Sequence, residues 1–202
     1  MTDFNIFLFD DFETLDVFGP VEIIGQLEEV YTMKFFSIKG GIITSKQKTQ
    51  IVTKPYTEVD FNGILFIPGG KGTRKLVHDE DTILILEKIA KSSLYCITVC
   101  TGTALLAKTK LLNGVKATSN KKAFDWVKSM NLEVHWIYEA RWVNDNKYYT
   151  SSGVSAGMDM ILGFISDKFG KEKAKEIADH IEDVWNDNPD EDIFANTTLF
   201  GP

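Results

Sequence analysis

The sequence SSLYCITVCTGTALLA at residues 92–107 gives the strongest indication of the fold, because it changes from a strand pattern to a helix pattern at one corner. Leu94–Val99 alternates in polarity and is rich in β-branched residues, which predicts a strand. Thr101–Gly102–Thr103 provides small residues for a sharp turn, and Ala104–Lys110 has high helix propensity. Cys100 therefore lies where the predicted strand meets the predicted helix.

The two cysteines of the chain occupy different parts of this stretch. Open α/β sheets place functional groups at the carboxyl ends of their strands, and a helix N-terminus favours a thiolate over a thiol. Both effects apply at Cys100, so we interpret it as a candidate nucleophile, with burial as a small apolar side chain as the alternative. Cys96 lies in the middle of the strand, where we expect it to serve only in packing.

Strand and helix patterns alternate along the remainder of the chain. Strands are predicted at Phe4–Phe9, Met33–Ile38, Gly63–Pro68, Lys116–Ser119 and Glu133–Trp136. Ile42–Tyr56 is predicted to form short strands or a hairpin, and Ala140–Ser151 a hairpin. Helices are predicted at Val21–Val30, Asp79–Lys91, Asn120–Met130 and Lys171–Asp183, and a further helix is entered through Ser152–Gly157 and ends at Phe169. We place Phe12–Pro20 in a loop, with Pro20 in the first turn of the helix that follows. The pattern predicts one domain over residues 1–202, a three-layer α/β sandwich with a mostly parallel, flavodoxin-like sheet and helices on both faces.

Composition narrows the partners of the protein. The net charge of −7 argues against nucleic acid, which needs clustered Lys and Arg. No apolar run approaches the length of a membrane span, and the N-terminus has no basic region or cleavage site of a signal peptide. Two cysteines fit a reducing cytoplasm better than a disulfide framework. We therefore expect a cytoplasmic protein that acts on a small molecule, with neither nucleic acid nor membrane as partner.

Three further features are expected at the same sheet edge as Cys100, since the carboxyl ends of parallel strands lie together. Asp16 follows the first strand, either as an acid/base group or as a carboxylate that favours a helix N-terminus. Gly69–Gly70–Lys71–Gly72 frees backbone N–H groups for an oxyanion, or forms a plain tight turn. Ser151–Gly157, which includes Gly153, forms a pocket wall or allows close packing of a helix on the sheet.

Histidines and metal ligands are not part of the predicted site. None of His78, His135 and His180 falls in a candidate site loop, so the sequence does not indicate a Cys–His dyad. No spacing of His, Cys and Asp resembles a metal-ligand set. The tail from Trp185 to Pro202 lacks periodicity, and we interpret its acidic run Asp187–Asp192 as a solvated segment.

With these residues in place, the chain resembles the ThiJ/PfpI superfamily, a branch of the class I glutamine-amidotransferase-like folds. The resemblance is carried by five motifs in the order of the family, which are LDVFGP at 15–20, IPGG at 67–70, VCTGT at 99–103, LLNGVKAT at 111–118 and SGVSAGMD at 152–159. Within the superfamily the chain is most similar to the isocyanide (isonitrile) hydratase group. Asp16 selects that group where many relatives carry Glu, and so does Thr101 where other branches often carry His.

The resemblance implies roles for individual residues and a typically dimeric protein without a cofactor. It implies that Cys100 is the nucleophile, that Asp16 is the acid/base, and that the backbone of Gly70 and Thr101 binds an anion. Relatives usually continue the Ala–Thr motif into a His–Trp pair, whereas this chain has Ser119 and then Asn120, which affects the substrate pocket more than the nucleophile.

The function expected from these observations is that of a hydro-lyase. Cys100 attacks an isocyanide, a thioimidate forms, and water releases an N-substituted formamide. Two alternatives stay open. The first is a glyoxalase or deglycase that acts on methylglyoxal-type aldehydes through the same cysteine, and the second is a non-catalytic stress-response protein in which Cys100 senses oxidants.

Overall fold

An eight-stranded sheet lies at the centre of the structure, a computed structural model that describes residues 1–196. Its strands are β1 (Thr2–Phe7), β2 (Tyr31–Ser37), β3 (Gly41–Thr44), β4 (Gln50–Pro55), β5 (Ile64–Ile67), β6 (Tyr95–Val99), β9 (Trp142–Asp145) and β10 (Tyr148–Ser151). Two further strands, β7 (Lys116–Ala117) and β8 (His135–Trp136), form a separate parallel pair. The strand order is β3-β4-β2-β1-β5-β6-β10-β9. Residues 197–202, the end of the predicted tail, lie outside the described residues.

The interior of the sheet is parallel and its two edges are antiparallel. β1 pairs in parallel with β2 and β5, and β6 pairs in parallel with β5 and β10. The two predicted hairpins form the edges, β3 on β4 and β9 on β10. The four residues of β5 are all buried, as expected for a strand that is covered on both faces.

Helices cover both faces of the sheet and confirm the predicted α/β sandwich. They are α1 (Thr14–Gly25), α2 (Thr73–Leu76), α3 (Glu80–Ser92), α4 (Gly102–Lys108), α5 (Phe124–Lys128), α6 (Ala156–Phe169) and α7 (Lys171–His180). α6 packs on α1 and α7, whereas α4 packs on α2, α3 and α5. None of the helices within residues 1–196 is long and apolar enough to cross a bilayer.

The first helix begins earlier than the sequence suggested. α1 starts at Thr14, so the predicted loop over Phe12–Pro20 was wrong, and Pro20 lies inside the helix instead of in its first turn. Proline removes one helix hydrogen bond, but burial of Val17 and Ile23 on the side that faces the core stabilises the helix across it. The earlier start places Asp16 in the first turn, where its side chain is buried.

The acidic tail is held against the sheet by a buried ion network. Asp192 is only 1 % exposed, and its carboxylate lies 3.5 Å from Arg141 and 3.6 Å from Lys121. Arg141 also pairs with Asp159, and its backbone N–H donates to Pro189 O at 2.8 Å. The interpretation of this run as solvated was therefore wrong for Asp192, because two buried cations require counterions.

Candidate active site

The carboxyl ends of the four neighbouring strands β1, β5, β6 and β10 bring the predicted site residues to one edge of the sheet. Gly69 and Gly70 follow β5, Cys100 follows β6, and Ser152 follows β10. Asp16 reaches the same edge from the first turn of α1. Residues that are far apart in the sequence therefore meet because the strands that deliver them are parallel neighbours.

Cys100 occupies a left-handed backbone conformation with φ of 56°. This conformation costs a non-glycine residue about 1–2 kcal/mol, so the surrounding structure must hold it in place. The N–H of Cys100 donates to Ser151 O at 3.2 Å and Ser152 O at 3.1 Å, and the Ser119 hydroxyl donates to Cys100 O at 2.7 Å. These bonds hold the strand-to-helix corner in this conformation.

Asp16 is the carboxyl group that the structure places beside this cysteine. Its carboxyl is fully buried, and Oδ2 accepts a hydrogen bond from the Gly69 N–H at 2.9 Å. Burial raises the pKa of Asp16 to about 7, against the opposing effect of the Gly69 N–H, and the charge of Glu13 adds to the increase. The nearby Cys100 thiol lowers the pKa of this carboxyl, and Oδ1 has no hydrogen-bond partner among the described residues.

The backbone at Gly69 approaches Asp16 and Cys100 too closely for any other residue. A Cβ atom at this position would lie 2.7 Å from Thr101 N, 2.8 Å from Asp16 Oδ2 and 2.8 Å from Cys100 Cβ. These distances are shorter than van der Waals contact, and two of the three atoms belong to the groups expected to react. Gly69 is therefore required by the close packing of the site.

The electrostatics of Cys100 differ from the expectation at a helix N-terminus. The pKa of the thiol is raised rather than lowered, first by burial and second by the nearby Asp16 carboxylate. The N–H and hydroxyl of Thr101 oppose this increase, but they are outweighed. The side chain is 8 % exposed, and desolvation exceeds the partial charge of a short helix. The resting pair therefore holds its proton on sulfur when Asp16 is ionised.

The two backbone N–H groups proposed for anion binding, those of Gly70 and Thr101, have different hydrogen-bond partners. The Gly70 N–H donates to Thr101 Oγ1 at 3.0 Å, and the Thr73 hydroxyl contacts the same oxygen at 3.2 Å. The Thr101 N–H interacts with the Cys100 sulfur instead. Of the two N–H groups, only that of Thr101 therefore interacts with Cys100, and the Gly70 N–H becomes available to a ligand only if the Thr101 hydroxyl rotates away. The anion-binding role of this pair stays a prediction.

An open cleft of about 390 Å³ leads to Cys100. It is lined by Glu13, Lys46, Gly70, Lys71, Arg74, Cys100, Thr101, Asn120, Lys122 and Val154. Gly153 lines a neighbouring cavity of about 240 Å³ instead, where a Cβ atom would lie 2.4 Å from Asn120 Nδ2. The three histidines are exposed and lie outside the lining of the cleft.

Two contributors to the site were not identified from the sequence. Ser119 was noted only as a departure from the family pattern, and its bond to the carbonyl of Cys100 depends on the tertiary fold. Arg74 lies at the cleft because its guanidinium stacks on Trp126, which is distant in sequence. No local pattern around either residue signals these contacts.

Comparison with known proteins gives a consistent family relationship. The sequence profile of the DJ-1/PfpI family matches residues 4–167. The chain is 25% identical to an isonitrile hydratase from Pseudomonas putida over 178 aligned residues. The alignment covers 87% of this chain and 75% of that protein. It is 30% identical over 146 residues to a deglycase from Thermococcus kodakarensis, covering 70% of this chain and 84% of the other.

Solved structures repeat the same architecture. A ThiJ/PfpI family protein from Pseudomonas syringae superposes with a TM-score of 0.81 at 25% identity, over 90% of this chain and 74% of the other. A DJ-1 superfamily protein from Salmonella typhimurium gives a TM-score of 0.77 at 18% identity, over 92% of this chain and 100% of the other. At the lower identity the likeness concerns the fold alone.

Proposed function

The chain belongs to the DJ-1/PfpI family, and on that basis we propose that it hydrates isocyanides to N-substituted formamides. One observation carries the proposal, which is that the buried Asp16 carboxyl is held by the Gly69 N–H and lies beside Cys100, since a Cβ atom at Gly69 would be 2.8 Å from both Asp16 Oδ2 and Cys100 Cβ. This pair supplies a nucleophile and a single proton carrier without a histidine. The similarity to the isonitrile hydratase from Pseudomonas putida supports the same reaction.

The first step joins the sulfur to the terminal isocyanide carbon. The Asp16 carboxylate accepts the thiol proton as the Cys100 sulfur forms a bond to carbon, and the carbon–nitrogen triple bond becomes a double bond. Asp16 then delivers the same proton to that carbon. The product is a thioimidate, in which the former isocyanide carbon carries one hydrogen, the sulfur and the doubly bonded nitrogen. The raised pKa of the thiol makes this coupled transfer necessary, because free thiolate is scarce.

The second step adds water and restores the cysteine. Asp16 removes a proton from water as the oxygen attacks the thioimidate carbon, and the nitrogen gains a proton. Collapse of the tetrahedral adduct forms the formamide carbonyl and breaks the carbon–sulfur bond, and the sulfur recovers its proton. A carboxyl whose pKa is about 7 can both accept and donate protons near neutrality, which suits one residue that serves both steps.

A deglycase or glyoxalase activity is the second candidate, supported by the 30% identical deglycase from Thermococcus kodakarensis. Its substrates are carbonyl compounds that the same cysteine would attack. Lactate formed from methylglyoxal, without formamide from an isocyanide, would favour this candidate. Oxidant sensing is less well supported, because peroxide reacts with thiolates and the pKa of Cys100 is raised.

The deciding experiment incubates the purified protein with an aryl isocyanide and follows the N-formamide by chromatography. We expect formamide from the wild-type protein and from Cys96→Ala, which removes the buried cysteine outside the site. We expect no formamide above the uncatalysed rate from Cys100→Ala. Absence of turnover in the wild-type protein, or full activity in Cys100→Ala, would overturn the proposal. A homodimer, as the family resemblance implies, stays a prediction for measurement of the mass in solution.

A further inference from the structure

The charged residues at the Cys100 cleft are mostly basic, although the protein as a whole is acidic. Within the part of the chain that the structure describes, the lining contains four cations, Lys46, Lys71, Arg74 and Lys122, and one carboxylate, Glu13. The whole chain has 22 Lys and Arg against 29 Asp and Glu. The mouth of the site therefore has the charge opposite to that of the molecule.

The single carboxylate does not balance these cations. Glu13 lies 3.7 Å from Lys46 and also contacts the Gln47 amide, so its charge is already shared. Lys71, Arg74 and Lys122 have no ion-pair partner among residues 1–196. Three positive charges thus remain uncompensated around the path to the nucleophile, where they favour an anion.

Arg74 is held in place better than an ordinary surface arginine. Its guanidinium carbon lies 3.4 Å from the centroid of the Trp126 ring, a stacked arrangement that fixes the planar group while its N–H donors stay available. Arg74 and Cys100 line the same cleft, so the guanidinium faces the space through which a ligand reaches the sulfur. A fixed guanidinium beside a nucleophile is suited to a planar carboxylate, which it can bind through two hydrogen bonds.

We propose that the electrophile attacked by Cys100 carries a carboxylate, and that Arg74 binds this group, with Lys71 and Lys122 adding to the attraction at the mouth of the cleft. The inference refines the proposed function, because it rests on Cys100 as the reacting group and names the class of substrate. Under isocyanide chemistry the substrate is an isocyanide with a carboxylate substituent rather than a neutral one.

Two alkylating agents of nearly equal size test this without requiring turnover. Iodoacetate is anionic and iodoacetamide is neutral, and both transfer a two-carbon group to sulfur with loss of iodide. The readout is the ratio of their rates at Cys100, measured by mass spectrometry and divided by the same ratio for N-acetylcysteine. Cys96 is buried and serves as the internal control for unfolding. We expect the normalised ratio to exceed one in the wild-type protein.

The Arg74→Gln variant should lower that ratio by about threefold, and added salt should reduce it in the wild-type protein. Lys75→Gln is the matched control, since Lys75 is an exposed neighbour on α2 that does not line the cleft. A wild-type ratio at or below one, or a ratio unchanged by Arg74→Gln, would overturn the proposal. Lys122→Gln gives a second variant on a different element and should lower the ratio in the same direction.

Turnover then separates this inference from the proposed function. With para-isocyanobenzoate and its methyl ester as substrates, Arg74→Gln should raise KM for the carboxylate about threefold more than it raises KM for the ester. If neither compound is hydrated while the alkylation ratio still depends on Arg74, isocyanide hydration fails and the carboxylate site stands. If the wild-type protein hydrates both compounds equally and Arg74→Gln leaves the alkylation ratio unchanged, isocyanide hydration is supported and the carboxylate site is excluded.

Discussion

Replacement of Asp16 by asparagine should stabilise the protein, and should do so more strongly at alkaline pH. The buried carboxyl has a pKa of about 7 in the folded chain, compared with an ordinary value of 3.8. Below the unfolded pKa the group is protonated in both states and its ionisation has no effect on folding. As pH rises towards 7, the unfolded chain loses the proton and the folded chain resists, so stability falls.

The magnitude follows from the two pKa values. The difference between 3.8 and about 7 limits the loss of wild-type stability to roughly 4 kcal/mol once Asp16 is ionised in both the folded and the unfolded state. At about pH 5 only the unfolded state is ionised, and the loss is roughly 2 kcal/mol. Asparagine keeps an oxygen that can accept from the Gly69 N–H and cannot ionise. The stability advantage of the variant over the wild-type protein should therefore grow by about 2 kcal/mol, from roughly 2 kcal/mol at about pH 5 to roughly 4 kcal/mol at about pH 8.

Urea unfolding of both proteins at the two pH values, with thiols kept reduced, measures this difference. Asp81→Asn is the control, because Asp81 is exposed and remote from the site, and its effect should be small at both pH values. The variant should also form no formamide, which separates gain of stability from loss of function. A stability advantage of Asp16→Asn that is constant with pH, or one that shrinks as pH rises, would refute the assignment of a desolvated carboxyl with a raised pKa.

Three other outcomes are expected. The kcat/KM for isocyanide hydration should rise with pH through about 7 as the Asp16 carboxylate forms, and a profile that is flat across this range would contradict its role as base. Gly69→Ala should reduce formamide production by at least about 100-fold, because its Cβ displaces the reacting groups, whereas Gly25→Ala, whose Cβ has no neighbour closer than 3.6 Å, should retain activity. Asp192→Asn should lower the free energy of unfolding in urea by about 3 kcal/mol, since it leaves two buried cations poorly compensated. The exposed Asp190→Asn should change it by less than about 0.5 kcal/mol, and equal effects of the two variants would exclude a stabilising network.

The chemistry proposed for this site requires local features that lower the stability of the folded protein. A carboxyl that can serve as base and acid near neutrality requires desolvation, and desolvation is the largest cause of its raised pKa. The left-handed backbone of Cys100 adds a second local cost. Surrounding hydrogen bonds from Ser119 and to Ser151 and Ser152 hold this conformation in the folded state.

The fold class and the position of the candidate site at one edge of the sheet could be predicted from local sequence patterns. Strand propensity, helix propensity and turn residues are local properties, so the corner at Cys100 and the alternation of elements could be predicted without coordinates. The rule that parallel strands share one carboxyl edge then predicted that Asp16 and Gly69 lie near that corner. The boundary of the first helix was missed, because tertiary burial allowed it to continue through Pro20.

The pKa values at the site and the charge of the cleft depend on how distant segments of the chain pack together. The raised pKa values of Cys100 and Asp16 come from desolvation, which depends on everything packed around a group and not on its neighbours in sequence. The burial of Asp192 and the stacking of Arg74 on Trp126 join segments far apart in the chain. Local patterns specify which elements form, but the energy of a charge is set by the medium and the charges that folding brings to it.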